Sequence, residues 1–275
     1  MLFKEVGIVG VGLIGGSLGL ELKKRKLCSK ICGVSFHKKS VLRAKKCGAI
    51  DEGSLDYRIL ENSDLLIFAA PVDTILKLAP KISRIIKRDC IVTDVASTKE
   101  TITSRLSEIF PNYCGSHPLA GSEKRGVMNA KTGLFKNSVV IITPVKNTRD
   151  KAIKIVTRLW QEVGAKVKIL TPSEHDKAIS FTSHLPHITA FALIDSVPEK
   201  FFPYAATGLK DTTRIAASDE ELWSSIFLSN RKNLAQSIRL FKASVSILEK
   251  AIKSGDKQKL SDCLKKSKNK REKLA

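Results

Sequence analysis

A chain of 275 residues with 43% apolar side chains can bury a sizeable core and is long enough for two domains, which excludes a disordered tail. Its 48 Lys and Arg against 27 Asp and Glu give a formal charge of +21. That balance favours anionic partners, although runs such as Lys23, Lys24, Arg25 and Lys26, or Lys265, Lys266, Lys268 and Lys270, read first as solvated helix surface and a frayed end.

The six cysteines (Cys28, Cys32, Cys47, Cys90, Cys114 and Cys263) form no CxxC pair, and five scattered histidines offer no zinc spacing. No metal is expected, and reduced thiols fit a cytoplasmic protein. The first apolar run, residues 6–20, has the length of a secretory core. Its flanks argue against export, because the basic cluster follows the run and the glycines are spaced for a turn. No apolar stretch reaches membrane-spanning length, so no membrane partner is expected.

Strands are predicted at residues 6–9, 31–35, 65–70 and 91–95, each close to an amphipathic helix, the alternation of an α/β fold with a doubly wound, mostly parallel sheet. Between the first strand and its helix lies Gly10-Val11-Gly12-Leu13-Ile14-Gly15. In that setting the first glycine permits a tight turn, the second lets backbone approach a pyrophosphate, and the third lets helix and strand pack closely. Gly10, Gly12, Leu13, Ile14 and Gly15 therefore read as dinucleotide-binding residues, with phosphates facing the free N–H groups of the helix start. About 20 residues on, where an NAD enzyme carries a carboxylate for the ribose, stands Ser35. No acidic residue occurs between Leu22 and Ile50, and His37, Lys38 and Lys39 follow at once. A hydroxyl and nearby cations suit a 2′-phosphate, so NADP is expected in preference to NAD, with NAD still possible.

A helix around residues 41–46 should stop at Gly48 with a left-handed cap. The segment Asp94-Val95-Ala96-Ser97-Thr98-Lys99 sets Ser97 at the carboxyl end of a strand, where ligands of such sheets gather. In Gly115-Ser116-His117-Pro118-Leu119-Ala120-Gly121-Ser122-Glu123, His117 has so little apolar bulk around it that it reads as functional. Further strands at residues 139–143 and 167–170, flanking a helix over 150–163, are expected to extend the same sheet. Thr171-Pro172-Ser173-Glu174 supplies an N-cap, a first-turn proline and a capping-box glutamate, which places a domain boundary between 1–170 and an all-helical 171–275. Pro186 should kink the first of these helices, and His184 and His187 share a helical face there. Asp211-Thr212-Thr213-Arg214 is expected in a loop after Gly208, where Arg214 can fork onto a carboxylate. Leu234, Ile238, Phe241, Val245, Leu248 and Ile252 form an apolar seam that needs a partner, either a neighbouring helix of the same chain or a second subunit; a homodimer through the C-terminal helices is the favoured reading.

Together the stretch Gly12 to Ser17, the His117 loop, Ser183 to His187, Asp211 to Ala216 and Trp223 resemble the prephenate and arogenate dehydrogenases of tyrosine biosynthesis. The resemblance implies a Rossmann domain followed by an all-helical dimerisation domain, with prephenate or arogenate held in the cleft between them. It implies an oxidative decarboxylation with hydride transfer to the nicotinamide. On it, His117 matches the base that draws off the ring hydroxyl proton, expected to titrate near neutrality as imidazole does. Ser97 matches the residue that orients His117 and the nicotinamide, Arg214 the partner of the ring carboxylate, and His187 that of the side-chain carboxylate. His184, Glu123 and Asp211 match supporting or gating positions.

The histidine pair looks like the prephenate enzymes, whereas the Gly-Val-Ser end of the second strand looks like NADP-dependent members that take arogenate. The reading is prephenate, with arogenate or dual use as alternatives and Asp219 and Glu220 as candidates to meet an ammonium. Other two-domain hydroxy-acid dehydrogenases rely on a lysine of the helical domain, which the His117 loop argues against. A non-enzymatic NADP-binding or nucleic-acid-binding protein leaves His117 and Arg214 unexplained.

Overall fold

The computed structural model describes residues 1–121, 124 and 126–274. Five parallel strands open the chain: β1 (Phe3–Val9), β2 (Cys28–Val34), β3 (Glu52–Ser54), β4 (Leu65–Phe68) and β5 (Ile91–Asp94). They lie in the order β3-β2-β1-β4-β5. Helices α1 (Leu13–Lys24), α2 (Lys38–Lys46) and α3 (Val72–Ile82) and a 3-10 turn over Tyr57–Leu60 make the crossovers, and α4 (Glu100–Ile109) follows β5. The order reverses between β1 and β4, so the carboxyl end of β1 is the switch point at which doubly wound sheets bind ligands.

Strand β4, Leu65-Leu66-Ile67-Phe68, is wholly buried, as a central parallel strand with both faces covered must be. Its alternate residues enter different cores. Leu65 and Ile67 join Val6, Ile8, Leu18 and Trp160, while Leu66 and Phe68 join Ile75, Val92, Ile102 and Tyr113, the period of two that a pleated strand imposes. Helix α2 ends as expected, with Gly48 at φ +78°.

The next strands depart from expectation. Strands β6 (Gly115–Pro118), β7 (Val139–Thr143) and β8 (Lys166–Ile169) do not extend the first sheet; they form a second one, with β6 antiparallel and β8 parallel to β7. Just ahead of β6, an isolated parallel bridge pairs Tyr113 with Val92 of β5. Side chains replace a ladder there: the Ser116 hydroxyl donates to the Asp94 carbonyl at 2.6 Å and meets Thr93 Oγ1 at 3.0 Å. Helix α5 (Asp150–Glu162) covers this region, setting Trp160 edge-on to Phe135 at 5.3 Å.

From Thr171 on, every described element is helical. Thr171 and Glu174 complete a reciprocal capping box at the start of α6 (Pro172–Ile179). The helix then widens into a π-helical turn over Ser180–His184 and continues as α7 (Leu185–Asp195), so Pro186 follows a π segment instead of breaking the run. The expected loop at Asp211 is instead helix α8 (Thr207–Thr213) followed by a 3-10 turn over Arg214–Ala217. Gly208 falls in the first turn of α8, where it does not end the helix. Helix α9 (Glu220–Ser229) is capped by Asp219, whose carboxylate accepts the Leu222 N–H at 2.7 Å.

Two compact units result, Met1–Asn230 and Arg231–Ala275. The second is a pair of helices, α10 (Arg231–Lys253) and α11 (Lys257–Glu272), turned at Gly255 with Asp256 as cap. The α10 seam is partly uncovered: Phe241, Val245 and Ile252 are 38%, 46% and 64% exposed, whereas Leu234 is buried. No helix among the described residues is long and apolar enough to cross a membrane.

Candidate active site

The glycine loop does what its spacing predicts. Gly10 adopts φ +101°, and a Cβ there would stand 2.3 Å from the Ala69 carbonyl oxygen. A Cβ at Gly15 would stand 2.2 Å from the Gly10 oxygen, so both must be glycine for α1 to pack against β1. Gly12 has no atom within 4 Å of a Cβ position, and α1 begins there with neither a side-chain cap nor an acidic residue in its first turn. Open space against an uncapped, electropositive helix end fits a pyrophosphate.

Beside it lies a cavity of about 430 Å³ lined by Gly10, Gly12, Ser35, Phe36, Ser40, Arg43 and Tyr57, among others. Of the residues expected to hold the cofactor, Gly10, Gly12 and Ser35 line this space. Leu13, Ile14 and Gly15 shape the helix start behind it. His37, Lys38 and Lys39 are exposed and outside its wall, because α2 begins at Lys38 and turns Ser40 and Arg43 inward instead. No local sequence signal marks Arg43, which stands a helical turn beyond the basic run.

His117 sits in β6, paired across to Ile141, and is only 8% exposed. Its Nδ1 meets His175 Nε2 at 2.8 Å, and His175 Nδ1 meets Asp176 Oδ1 at 2.8 Å. Burial pushes His117 well below the usual imidazole value, with His175 and Lys99 adding to the effect; the expected titration near neutrality gives way to a ring held neutral. Ser97 is half-buried in the turn after β5, and among the described residues the partner of His117 Nδ1 is His175, not Ser97.

Beneath that turn, fully buried Lys99 pairs with Asp94, which also accepts the Tyr113 hydroxyl at 2.6 Å and the Ala96 N–H at 2.8 Å. Burial draws the Lys99 ammonium down and the Asp94 charge opposes it. Asp94 and Lys99 stood at the ends of the motif singled out for Ser97, and His175-Asp176 directly follows the capping box, so the residue types were visible and only their convergence was not.

Helices α7 and α9 bring a third group together. His187 stacks on Trp223 with centroids 3.5 Å apart, and His184 meets the same indole edge-on at 6.1 Å. Asn230 Nδ2 lies 2.7 Å from the Asp176 carbonyl and 3.2 Å from His184 Nδ1, which makes that nitrogen an acceptor. Burial lowers His184 to about 4. His187 gives Nδ1–H to the Ser183 carbonyl at 2.9 Å, and burial, assisted by the Arg214 charge, lowers it too. Arg214 and Asp211 are exposed. Asp219, considered for an ammonium, is engaged as the α9 cap. Glu123 lies outside the described residues.

The sequence model of the prephenate dehydrogenase nucleotide-binding domain matches residues 18–169, and that of the prephenate dehydrogenase dimerization domain residues 171–266. The prephenate dehydrogenase of Bacillus subtilis is 33% identical over 82% of this chain, which spans 64% of that protein's length. The cyclohexadienyl dehydrogenase of Zymomonas mobilis is 33% identical over 96% of this chain and 94% of its own. Among solved structures, prephenate dehydrogenase from Aquifex aeolicus in complex with hydroxyphenyl propionate and NAD+ superimposes with a TM-score of 0.94 at 37% identity, covering 99% of this chain and 98% of that one. With both domain models matched along one chain, this protein belongs to the prephenate dehydrogenase family of NAD(P)-dependent oxidoreductases.

Proposed function

We propose that the chain oxidatively decarboxylates prephenate to 4-hydroxyphenylpyruvate, with NADP as the preferred cofactor, in tyrosine biosynthesis. The observation that carries this reading is His117, buried, neutral and hydrogen-bonded at Nδ1 to His175, in a chain whose β1–α1 turn is built for a dinucleotide. In the reaction the ring carbon bearing the hydroxyl gives up a hydride, the hydroxyl loses its proton, and the bond to the ring carboxylate breaks to release CO2. The electron pair of that bond completes the aromatic ring, and the ring oxygen takes its proton back from His117, which gives 4-hydroxyphenylpyruvate and resets the base. The nicotinamide, when bound, accepts the hydride.

The chain's own part is to place and discharge the substrate. His117 Nε2 takes the hydroxyl proton, a contribution of about 10²- to 10⁴-fold. Ser97 orients the hydroxyl and the nicotinamide from the end of β5, and Arg214 receives the ring carboxylate. His187 receives the side-chain carboxylate through Nε2; because Nδ1–H is already given to Ser183, it donates there only as imidazolium. His184, Glu123 and Asp211 support these groups. NADP preference rests on Ser35 and Arg43 in the wall of the cofactor cavity. The partly uncovered α10 seam supports a homodimer, free thiols suit the cytoplasm, and we place the domain boundary at 170/171.

The test offers prephenate and arogenate, each with NAD and with NADP, and follows reduced nicotinamide by absorbance. Turnover should be greatest with prephenate and NADP, and His117→Asn should lower kcat at least 10²-fold with cofactor binding retained. Silence in all four mixtures overturns the reading.

A further inference from the structure

We propose that His175 and Asp176 are positioning residues for His117: they fix its tautomer, keeping the proton on Nδ1 and leaving Nε2 as the lone pair that accepts the substrate proton. The inference rests on the reading of His117 as the base.

Asp176 reaches from α6 to the start of α4. Its Oδ1 accepts the Lys99 N–H at 2.7 Å and its Oδ2 accepts the Glu100 N–H at 2.9 Å, two donors that open the helix with the positive end of the dipole behind them. The carboxylate offers His175 only acceptor oxygen, so His175 Nδ1, 2.8 Å from Oδ1, must be the protonated nitrogen. In a neutral ring the other nitrogen is then an acceptor. His175 is wholly buried and burial keeps it neutral, so its Nε2 accepts from His117 Nδ1 at 2.8 Å.

The opposite assignment would set a lone pair of His175 against the carboxylate, with no donor between them. One tautomer of each ring satisfies every contact, and the choice propagates from the α4 N-terminus to the base. An isolated imidazole favours the Nε2–H form, so without this chain the nitrogen needed for proton transfer would carry a proton already.

The test reads tautomers directly. The chain has five histidines, few enough to assign in 15N-histidine NMR spectra by single substitution, and the ligand-free protein suffices. Wild-type His117 should show the Nδ1–H form. His175→Phe, which keeps the edge-to-face ring contact but removes the acceptor, should convert His117 to the Nε2–H form. It should lower kcat with prephenate about 10²-fold or more while leaving KM for substrate and cofactor within about threefold. His175→Gln, whose carbonyl oxygen can accept the same hydrogen bond, should restore the Nδ1–H form and most of kcat, with thermal melting confirming that both variants fold. An Nε2–H form in the wild type, or an unchanged kcat in His175→Phe, overturns the proposal. If prephenate is not turned over at all, the function reading fails while the NMR result still decides the tautomer.

Discussion

Ser35 occupies the end of β2, where a carboxylate would accept the ribose hydroxyls of NAD, and Arg43 faces the same cavity from α2. A 2′-phosphate in that space gains a charge-assisted hydrogen bond from the guanidinium, and a carboxylate there would repel it. Arg43→Ala should weaken NADP about tenfold, the equivalent of about 1.4 kcal/mol, and leave NAD within about twofold. Ser35→Asp should raise KM for NADP further and lower it for NAD, with kcat/KM for both cofactors as the readout; equal losses for both would sink the assignment. At this scale the sequence was informative about chemistry and less so about convergence. The missing acid before Ile50 and the bare setting of His117 were legible because they are local. The contact of His117 with His175 spans 58 residues, and that of Thr98 with Ser229 spans 131; neither leaves any local periodicity to read. The basic run stands outside the cavity wall because α2 starts at Lys38 and carries Ser40 and Arg43 on the face toward that space.

The β1–α1 turn separates two demands that its glycines meet independently. Gly15 has no room, since its Cβ would meet the Gly10 carbonyl at 2.2 Å, whereas Gly12 has no neighbour within 4 Å in the free chain. Gly15→Ala should push α1 off the sheet and destabilise the protein by about 1–3 kcal/mol. Gly12→Ala should melt at the wild-type temperature without cofactor and yet bind NADP at least tenfold more weakly, because its methyl group fills the space the pyrophosphate needs. Melting curves with and without NADP distinguish the two, and a Gly12→Ala variant with normal affinity would refute the assignment of that space. The main elements of this domain were legible because buried parallel strands are continuous apolar runs and α2 carries its own stop signal. Strand β6 was not. Gly-Ser-His-Pro has no β-branched or aromatic residue, and it is a strand only because β7 supplies its ladder. Helix α8 is likewise illegible locally, because Gly208 suggests a break and yet sits within the first turn of the helix. The second sheet was misassigned because alternating βα grammar does not reveal that Ser116 side-chain bonds stand in for a β5–β6 ladder.

At the scale of the molecule, four imidazoles of the Met1–Asn230 unit, those of His117, His175, His184 and His187, are held below their usual value, in each case first by burial. An unfolded chain protonates them near pH 6.5, whereas the folded chain resists until lower pH, so between those limits the unfolded state binds more protons. Their neutral burial is therefore fully compatible with stability above pH 6.5, and stability falls as the pH drops toward the folded values. For His184, lowered to about 4 and fully buried, the loss amounts to about 3 kcal/mol across that window. The other three act in the same direction. Glu21 and Asp64, held below the usual carboxylate range by their hydrogen bonds and cationic neighbours in spite of burial, contribute in a separate window. Their stabilisation is present above the ordinary carboxylate value and is lost only as the pH falls through the depressed one. Urea unfolding should accordingly show a midpoint that is nearly level from pH 8 to 7 and declines steeply between 6.5 and 4, with calorimetry recording proton uptake on unfolding at pH 5.5. His184→Asn should shallow that decline whatever it does to stability at pH 7.5. A midpoint unchanged between pH 7.5 and 5 would mean that these rings are not held neutral by burial.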